Sequence, residues 1–136
     1  ITTLMNMEDL IEKDFAPVAP DMDLGQLVRV IAKAKRNLFP VVNGAGMLRG
    51  GILLDDVRNI IFRQELYHRY TCEQLMTKPQ AHIRVSESVA AVMRRFDESN
   101  AWNLPVEDKD GNFLGFMSKS RVYSTYRQVL VDFSQE

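Results

Sequence analysis

The feature that most constrains the fold of this chain is an internal repeat at a fixed offset. The stretch from Phe39 to Asp56 has the same layout as the stretch from Leu104 to Arg121, and matched residues lie 65 positions apart, the spacing from residue 40 to residue 105. The match extends upstream without a gap. The chain is therefore predicted to contain two copies of one unit, residues 1–70 and residues 71–136, the second with a C-terminal helix.

Two copies predict a pseudo-symmetric pair, since a solenoid needs at least three repeats to bury a continuous core. A chain of 136 residues is long enough to bury roughly 68–70 % of its unfolded surface, whereas half that length is marginal. We expect one compact α/β (α+β) module, in which two βαββα-like copies share an interior around a pseudo-two-fold axis.

Hydrophobic periodicity predicts the same element order in each copy: helix, short strand, helix, strand, strand, helix. Asp23 and Gln26 have capping-box spacing before a helical stripe that runs to about Lys35, and Ser86 or Ser88 would cap the matching helix. Turn residues at 43–46 and 108–112 predict two hairpins. Helical spacing then predicts closing helices over residues 54–70 and from about residue 119 onwards.

Charge and composition exclude some classes of function. The formal net charge of -1 provides no field that would attract nucleic acid or an anionic membrane. No apolar run is long enough to span a bilayer, and the start lacks the features of a signal peptide. The chain begins with Ile rather than Met, so we expect it to be a soluble fragment of a longer protein, whose parent can be a membrane protein.

No catalytic or metal-binding constellation is apparent. Cys72 is the only cysteine, which excludes an internal disulfide and favours a reducing compartment. His68 and His82 do not have zinc-ligand spacing, and the acidic turn that begins at Asp108 lacks the late bidentate acid of a calcium loop. Trp102 is expected in the core or at an interface. The chain is not expected to be an enzyme.

The candidate binding residues follow two matched glycines. Leu53 and Asp56 lie three and six residues after Gly50, and the matched positions after Gly115 are Ser118 and Arg121. A strand-end hydroxyl and a carboxylate in the first helical turn would suit a ribose diol, with helix amides nearby for phosphate. We expect these side chains to point into a groove between the copies.

These residues resemble a tandem pair of cystathionine-β-synthase (CBS) domains, a Bateman module, over residues 9–127. The family's nucleotide motif is similar to Gly-x-x-Ser/Thr-x-x-Asp, and each copy departs from it: Leu53 replaces the hydroxyl in the first, and Arg121 replaces the acid in the second. The resemblance implies AMP, ADP or ATP as possible ligands, with no certain cofactor. The nucleotide-binding set that it implies is Asp56, Ser118, Arg121, Leu53, Val18 and Ile83.

The tail from Met117 to Ser134 resembles the C-terminal end of bacterial chloride channel and transporter chains that carry a cytoplasmic CBS pair. This implies a regulatory domain on the cytoplasmic side of the membrane, attached to a membrane-embedded, dimeric anion pathway. Two alternatives remain open: a structural CBS pair without a ligand, and an energy-sensing domain of a metabolic enzyme.

The resemblance also implies a homodimer, because CBS pairs commonly associate through their helices. The residues predicted for the dimer face are Val57, Ile60, Ile61, Val122, Tyr126 and Val129. The alternative for each of them is burial within the monomer.

Overall fold

The computed structural model describes residues 5–135. In chain order its elements are a 3₁₀ helix (Met7–Leu10), α1 (Leu24–Lys33), β1 (Leu38–Val42), β2 (Leu48–Leu53), α2 (Leu54–Val57), a second 3₁₀ helix (Gln64–Leu66), α3 (Cys72–Leu75), β3 (Ile83–Arg84), α4 (Val89–Ser99), β4 (Asn103–Glu107), β5 (Phe113–Ser118) and α5 (Lys119–Ser134). Strands β1 and β2 form one antiparallel sheet, and the second sheet has the order β3-β4-β5. The predicted mixture of helices and small sheets is confirmed.

Both hairpins turn at the predicted residues, and the same pattern of hydrogen bonds closes each turn. Oδ1 of Asn43 accepts hydrogen bonds from the amides of residues 45 and 47, and Oδ1 of Asp108 accepts from those of residues 110 and 112. The amide of Asn112, more than any other group, lowers the pKa of Asp108. The acidic turn is therefore a hairpin turn whose carboxylate is held by its own backbone.

Two helices begin at the predicted caps. Asp23 and Gln26 form a reciprocal capping box at the start of α1, and Oγ of Ser88 accepts a hydrogen bond from the amide of Ala91 at the start of α4. The long helix α5 begins at Lys119 as expected. None of the helices in the described part of the chain combines the length and hydrophobicity that a bilayer crossing needs.

The closing helix predicted over residues 54–70 is wrong in its extent, because α2 ends at Val57. The chain continues as tight turns, with amide-to-carbonyl bonds that span three residues, such as Ile60 to Val57 and Leu66 to Arg63. The carbonyls of Tyr67 and Tyr70 instead accept bonds from the free amides at the start of α1. Bonds to α1 thus replace the local helix that the apolar spacing favoured.

The structure divides into two compact units that do not coincide with the predicted repeats. One unit holds residues 14–79, and the other holds residues 80–135 together with residues 5–13. The core of the second unit includes Met5, Met7 and Leu10 from the first repeat. The core of the first unit includes Cys72 from the second repeat. Each repeat therefore gives its leading segment to the unit that is built around the other repeat's hairpin.

The matched glycines allow these exchanged segments to approach the hairpins. The backbone of Glu12 bonds to that of Phe116 in both directions, at 2.8 and 3.0 Å, and Thr77 bonds to Gly51 in the same way, at 2.9 Å twice. A Cβ atom on Gly115 would lie 2.4 Å from the carbonyl oxygen of Glu12, and one on Gly50 would lie 2.9 Å from that of Thr77. Only glycine allows this approach without displacement of the backbone.

Candidate functional site

In the unit of residues 5–13 and 80–135, the start of β4 and the end of β5 lie at one edge of the sheet, because Asn103 pairs with Ser118. Ser118 is also the N-cap of α5, and its Oγ accepts a hydrogen bond of 3.2 Å from the amide of Arg121. Its hydroxyl hydrogen has no acceptor within the described residues. Ser118 can therefore still donate a hydrogen bond to a ligand while it caps the helix.

Arg121, which stands where the family motif has an acid, is exposed and supports the exchanged segment. Its Nη2 donates to the carbonyl oxygen of Asp9 at 3.2 Å. A guanidinium has five N–H donors in a planar fork, so this bond leaves others available to an anion. Arg121 thus has a structural role, and it makes this edge more positive than the acid of the motif would.

A cluster beside Ser118 was missed by the sequence reasoning. Nζ of Lys119 lies 5.6 Å from the ring centre of Trp102 and 5.9 Å from that of Tyr123, both within cation–π range. Trp102 is 72 % exposed, so of its two predicted places, the core and an interface, the core is wrong and the interface stays a prediction. A comparison of the two copies could have found this cluster. The positions that match Trp102 and Lys119 in the first copy, 65 residues earlier, are Asn37 and Leu54, so the copies differ in side-chain chemistry at both positions.

The matching edge of the unit of residues 14–79 has a different chemistry. Leu53 is 48 % exposed and makes no side-chain bond at the start of α2. Asp55 pairs with Arg58 at 3.2 Å, while the exposed carboxylate of Asp56 has no hydrogen bond or ion pair within the described residues. This edge therefore presents apolar and acidic groups.

Val18 and Ile83 present no side chains to a ligand, because they are 2 % and 0 % exposed. The amide of Val18 donates to the carbonyl of Pro40, and its carbonyl accepts from the amide of Val42. Ile83 pairs with Val106 in the parallel ladder of β3 and β4. Each holds a strand in place within its own unit.

Two of the six residues predicted for the dimer face are buried. Val57 and Val122 are 2 % and 0 % exposed and belong to the cores of their respective units, so they offer no surface to a partner. The remaining four are half-buried, namely Ile60, Ile61, Tyr126 and Val129.

The surroundings of the cysteine and the two histidines are explained by packing and pairing, not by catalysis. Burial raises the pKa of Cys72 to about 11, so its thiol stays protonated at neutral pH and is a poor nucleophile. Nδ1 of His68 lies 3.0 Å from Oδ2 of Asp23, and Nδ1 of His82 lies 2.5 Å from Oε1 of Glu107. In the described part of the chain, no group of three or more His, Cys, Asp or Glu residues could hold a metal ion.

A cleft of about 340 Å³ lies along α4, away from the predicted site residues. Arg95, on its wall, donates from Nη1 to the carbonyl of His82 at 2.7 Å and pairs through Nε with Glu87 at 3.0 Å. With these two contacts, Arg95 holds α4 against β3, the strand that precedes it. The lining residues are Gln80, Ala81, Glu87, Ala91, Arg94, Arg95, Glu98 and Ser99.

Two segments of the chain, residues 7–63 and 72–126, match the family model of the CBS domain. Among curated proteins, a homoserine O-acetyltransferase from Methanococcus vannielii is 22 % identical over 119 residues, which cover 88 % of this chain. The matched region is 24 % of that protein's own length.

Two solved structures, described with their ligands, have a similar fold. CBSX2 in complex with AMP gives a TM-score of 0.69 at 21 % identity, over 89 % of this chain and 95 % of its own. CbpB in complex with c-di-AMP gives a TM-score of 0.73 at 15 % identity, over 97 % of this chain and 91 % of its own. At these identities the likeness shows the fold.

Proposed function

This chain belongs to the CBS domain family, and from that premise we propose that it is a regulatory module of a larger protein and responds to an adenine nucleotide. A pair of CBS domains is regulatory and not catalytic. The observation that carries the proposal is the β5–α5 edge, where the Ser118 hydroxyl, Lys119 and Arg121 lie at the start of a helix of 16 residues. Two cations and a hydroxyl at a helix N-terminus suit a phosphorylated ligand.

The likeness to proteins solved with AMP and with c-di-AMP supports the choice of an adenine nucleotide. Regulation follows if the nucleotide binds two arrangements of the parent protein with different affinity. One observation supports the alternative, a structural pair without a ligand: the Leu53 edge lacks the hydroxyl of the motif.

Thermal unfolding in the presence of AMP, ADP, ATP, c-di-AMP or S-adenosylmethionine tests the proposal. A nucleotide at a hundred times its dissociation constant adds about 2.7 kcal/mol to the free energy of unfolding, which raises the midpoint by several degrees for a domain of this size. Ser118→Ala and Asp56→Ala, each compared with its own ligand-free midpoint, show which edge is involved. If no nucleotide moves the midpoint at millimolar concentration, the structural alternative replaces this function.

We further propose that the parent protein is a chloride channel or transporter and that this module lies on the cytoplasmic side of its membrane. The support is the resemblance of the tail from Met117 to Ser134, which comprises the last two residues of β5 and the whole of α5. The parent gene upstream of residue 1 decides the point, because several transmembrane helices are expected there. An enzyme domain in that position would favour the metabolic-enzyme alternative.

A homodimer through α5 is part of the same proposal. Residues 122, 126, 129 and 133 lie on one stripe of this helix, which is buried at Val122, half-buried at Tyr126 and Val129, and 53 % exposed at Phe133. The stripe thus leaves the core of its own unit and continues as an apolar surface, together with Leu130, which is 40 % exposed. A second copy would bury this surface, which is worth roughly 1.5–3 kcal/mol per large side chain.

Sedimentation velocity checks this dimer. The wild type is expected to sediment as a dimer and the double variant Leu130→Glu/Phe133→Glu as a monomer. Met47→Glu is the control, because Met47 is 42 % exposed and lies in the hairpin of the other unit, outside the predicted dimer face. A mass unaffected by the double variant would remove α5 from the interface.

A further inference from the structure

The two hairpin edges have the same backbone bonds but different side chains. The amide of Lys119 donates to the carbonyl of Trp102 at 2.8 Å, and the amide of the matching Leu54 donates to the carbonyl of Asn37 at the same distance. On this common framework, one edge has an aromatic ring and a cation where the other has an amide and an aliphatic side chain. The edges have therefore diverged in what they can bind.

The aromatic cluster is held in place from one side and open on the other. Tyr123 donates a hydrogen bond of 2.7 Å from its hydroxyl to Oδ1 of Asp97 on α4, which fixes its ring next to the Lys119 amine. Lys119 is half-buried, but Trp102 stays 72 % exposed. A large, exposed indole supported by a cation is a platform on which a flat ring can stack.

We infer that the nucleotide binds at this edge, with its base stacked on Trp102 and its phosphate at Lys119 and Arg121. This inference rests on the proposed function and assigns the ligand to one of the two repeats. The matching edge carries Asp55 and Asp56, whose carboxylates repel a phosphate. At the Trp102 edge, the cation Lys119 lies beside a ring that is 72 % exposed, whereas Arg36, next to the matching edge, stacks on half-buried Phe15 and pairs with Asp14.

The single tryptophan of the chain makes the inference directly measurable. Trp102 emission, excited at the red edge of indole absorption where adenine does not absorb, is expected to be quenched by AMP in a saturable manner. Adenosine, which lacks the phosphate, is expected to bind roughly tenfold to a hundredfold more weakly, because it loses the charge-assisted bonds to Lys119 and Arg121.

Two pairs of variants separate the base contact from the phosphate contact. Lys119→Gln should weaken AMP binding about tenfold or more, while Lys109→Gln, an exposed lysine in the turn of the same hairpin, should leave it unchanged. Trp102→Ala should weaken binding about fivefold to a hundredfold in the thermal-unfolding assay. Its control is Phe62→Ala, which removes an exposed aromatic ring from the other unit.

The outcomes distinguish this inference from the function on which it rests. Quenching by AMP that is lost in Lys119→Gln and kept in Lys109→Gln supports it. A nucleotide-dependent rise in the unfolding midpoint without any quenching overturns it and leaves the proposed function intact, because the nucleotide then binds elsewhere. Equal quenching by AMP and adenosine overturns the phosphate contact. If neither quenching nor a rise in the midpoint occurs, both proposals fail.

Discussion

Asp23 shows how one side chain can join distant parts of a unit. Its Oδ1 accepts a hydrogen bond of 2.8 Å from the amide of Gln26 at the start of α1, and its Oδ2 lies 3.0 Å from Nδ1 of His68. The Gln26 amide, and then His68, lower the pKa of this carboxyl below its ordinary value of 3.8. The charged form is therefore favoured in the folded state.

This shift predicts how stability depends on pH. Because the folded-state pKa of Asp23 is depressed, its contribution is present above about pH 3.8 and is lost as pH falls through the folded value. Asp23→Asn keeps an acceptor for Gln26 but removes the charge. The variant should be less stable than the wild type near neutral pH, and the difference should shrink on acidification, as measured by urea unfolding across a pH series.

Ser88→Ala provides a control at an uncharged cap. It removes the acceptor for the amide of Ala91 and should lower the free energy of unfolding by about 1 kcal/mol, with no dependence on the ionisation of residue 88. A gap between wild type and Asp23→Asn that stays constant through the acid range would show that the Asp23 charge does not contribute.

Local patterns were sufficient to predict the caps but not their distant partners. Asp23 and Gln26 are three residues apart, and their spacing alone identifies the capping box. His68 reaches Asp23 only because the turns after α2 bring it back to α1, and Arg121 reaches the carbonyl of Asp9 across 112 positions of sequence. Such contacts depend on the fold, which no short spacing encodes.

At the scale of elements, the exchanged segments explain the matched glycines. The backbone near Glu12 lies against β5 at Gly115, and the backbone near Thr77 lies against β2 at Gly50. The sequence indicated that glycine allowed a close neighbour at these positions. It could not identify that neighbour, because each neighbour comes from the start of the other repeat.

Gly115→Ala is therefore expected to destabilise the fold strongly. Its Cβ would lie 2.4 Å from the carbonyl oxygen of Glu12 and 2.8 Å from a methyl carbon of Ile11, so the exchanged segment must shift. Overpacking of this kind costs roughly 1–3 kcal/mol, which chemical unfolding can measure. Gly44→Ala is the matched control, since nothing lies within 4 Å of its Cβ; equal stabilities of the two variants would contradict the close approach.

The incorrect helix over residues 54–70 illustrates the limit of periodicity. Apolar residues three apart satisfy a series of tight turns as well as a helix, so the pattern could not distinguish them. The Cβ that Gly25 lacks would lie 3.1 Å from Cβ of Tyr67, and the amide of Gly25 donates to the carbonyl of Tyr67. This contact between α1 and the turns selects the observed conformation.

At the scale of the whole molecule, the exchange determines which pieces of the chain can fold. Cys72 completes the core of the unit of residues 14–79, and half-buried Leu75 and Met76 pack against that core. A fragment of residues 1–70, cut at the repeat boundary, lacks all three and also lacks Thr77, whose backbone bonds to Gly51. Such a fragment would expose the apolar surface that these residues cover.

Two fragments of similar length provide the test. Residues 14–79 should fold alone with marginal stability, as many domains of about 55–65 residues do, and should show a cooperative urea transition with dispersed amide resonances. Residues 1–70 should show neither. Because Cys72 is buried and the pKa of its thiol is raised to about 11, slow reaction with a thiol reagent in the 14–79 fragment gives a second measure of an intact core. A cooperative transition in 1–70 would mean that folding follows the repeats, and the absence of one in 14–79 would mean that the packed unit does not fold by itself.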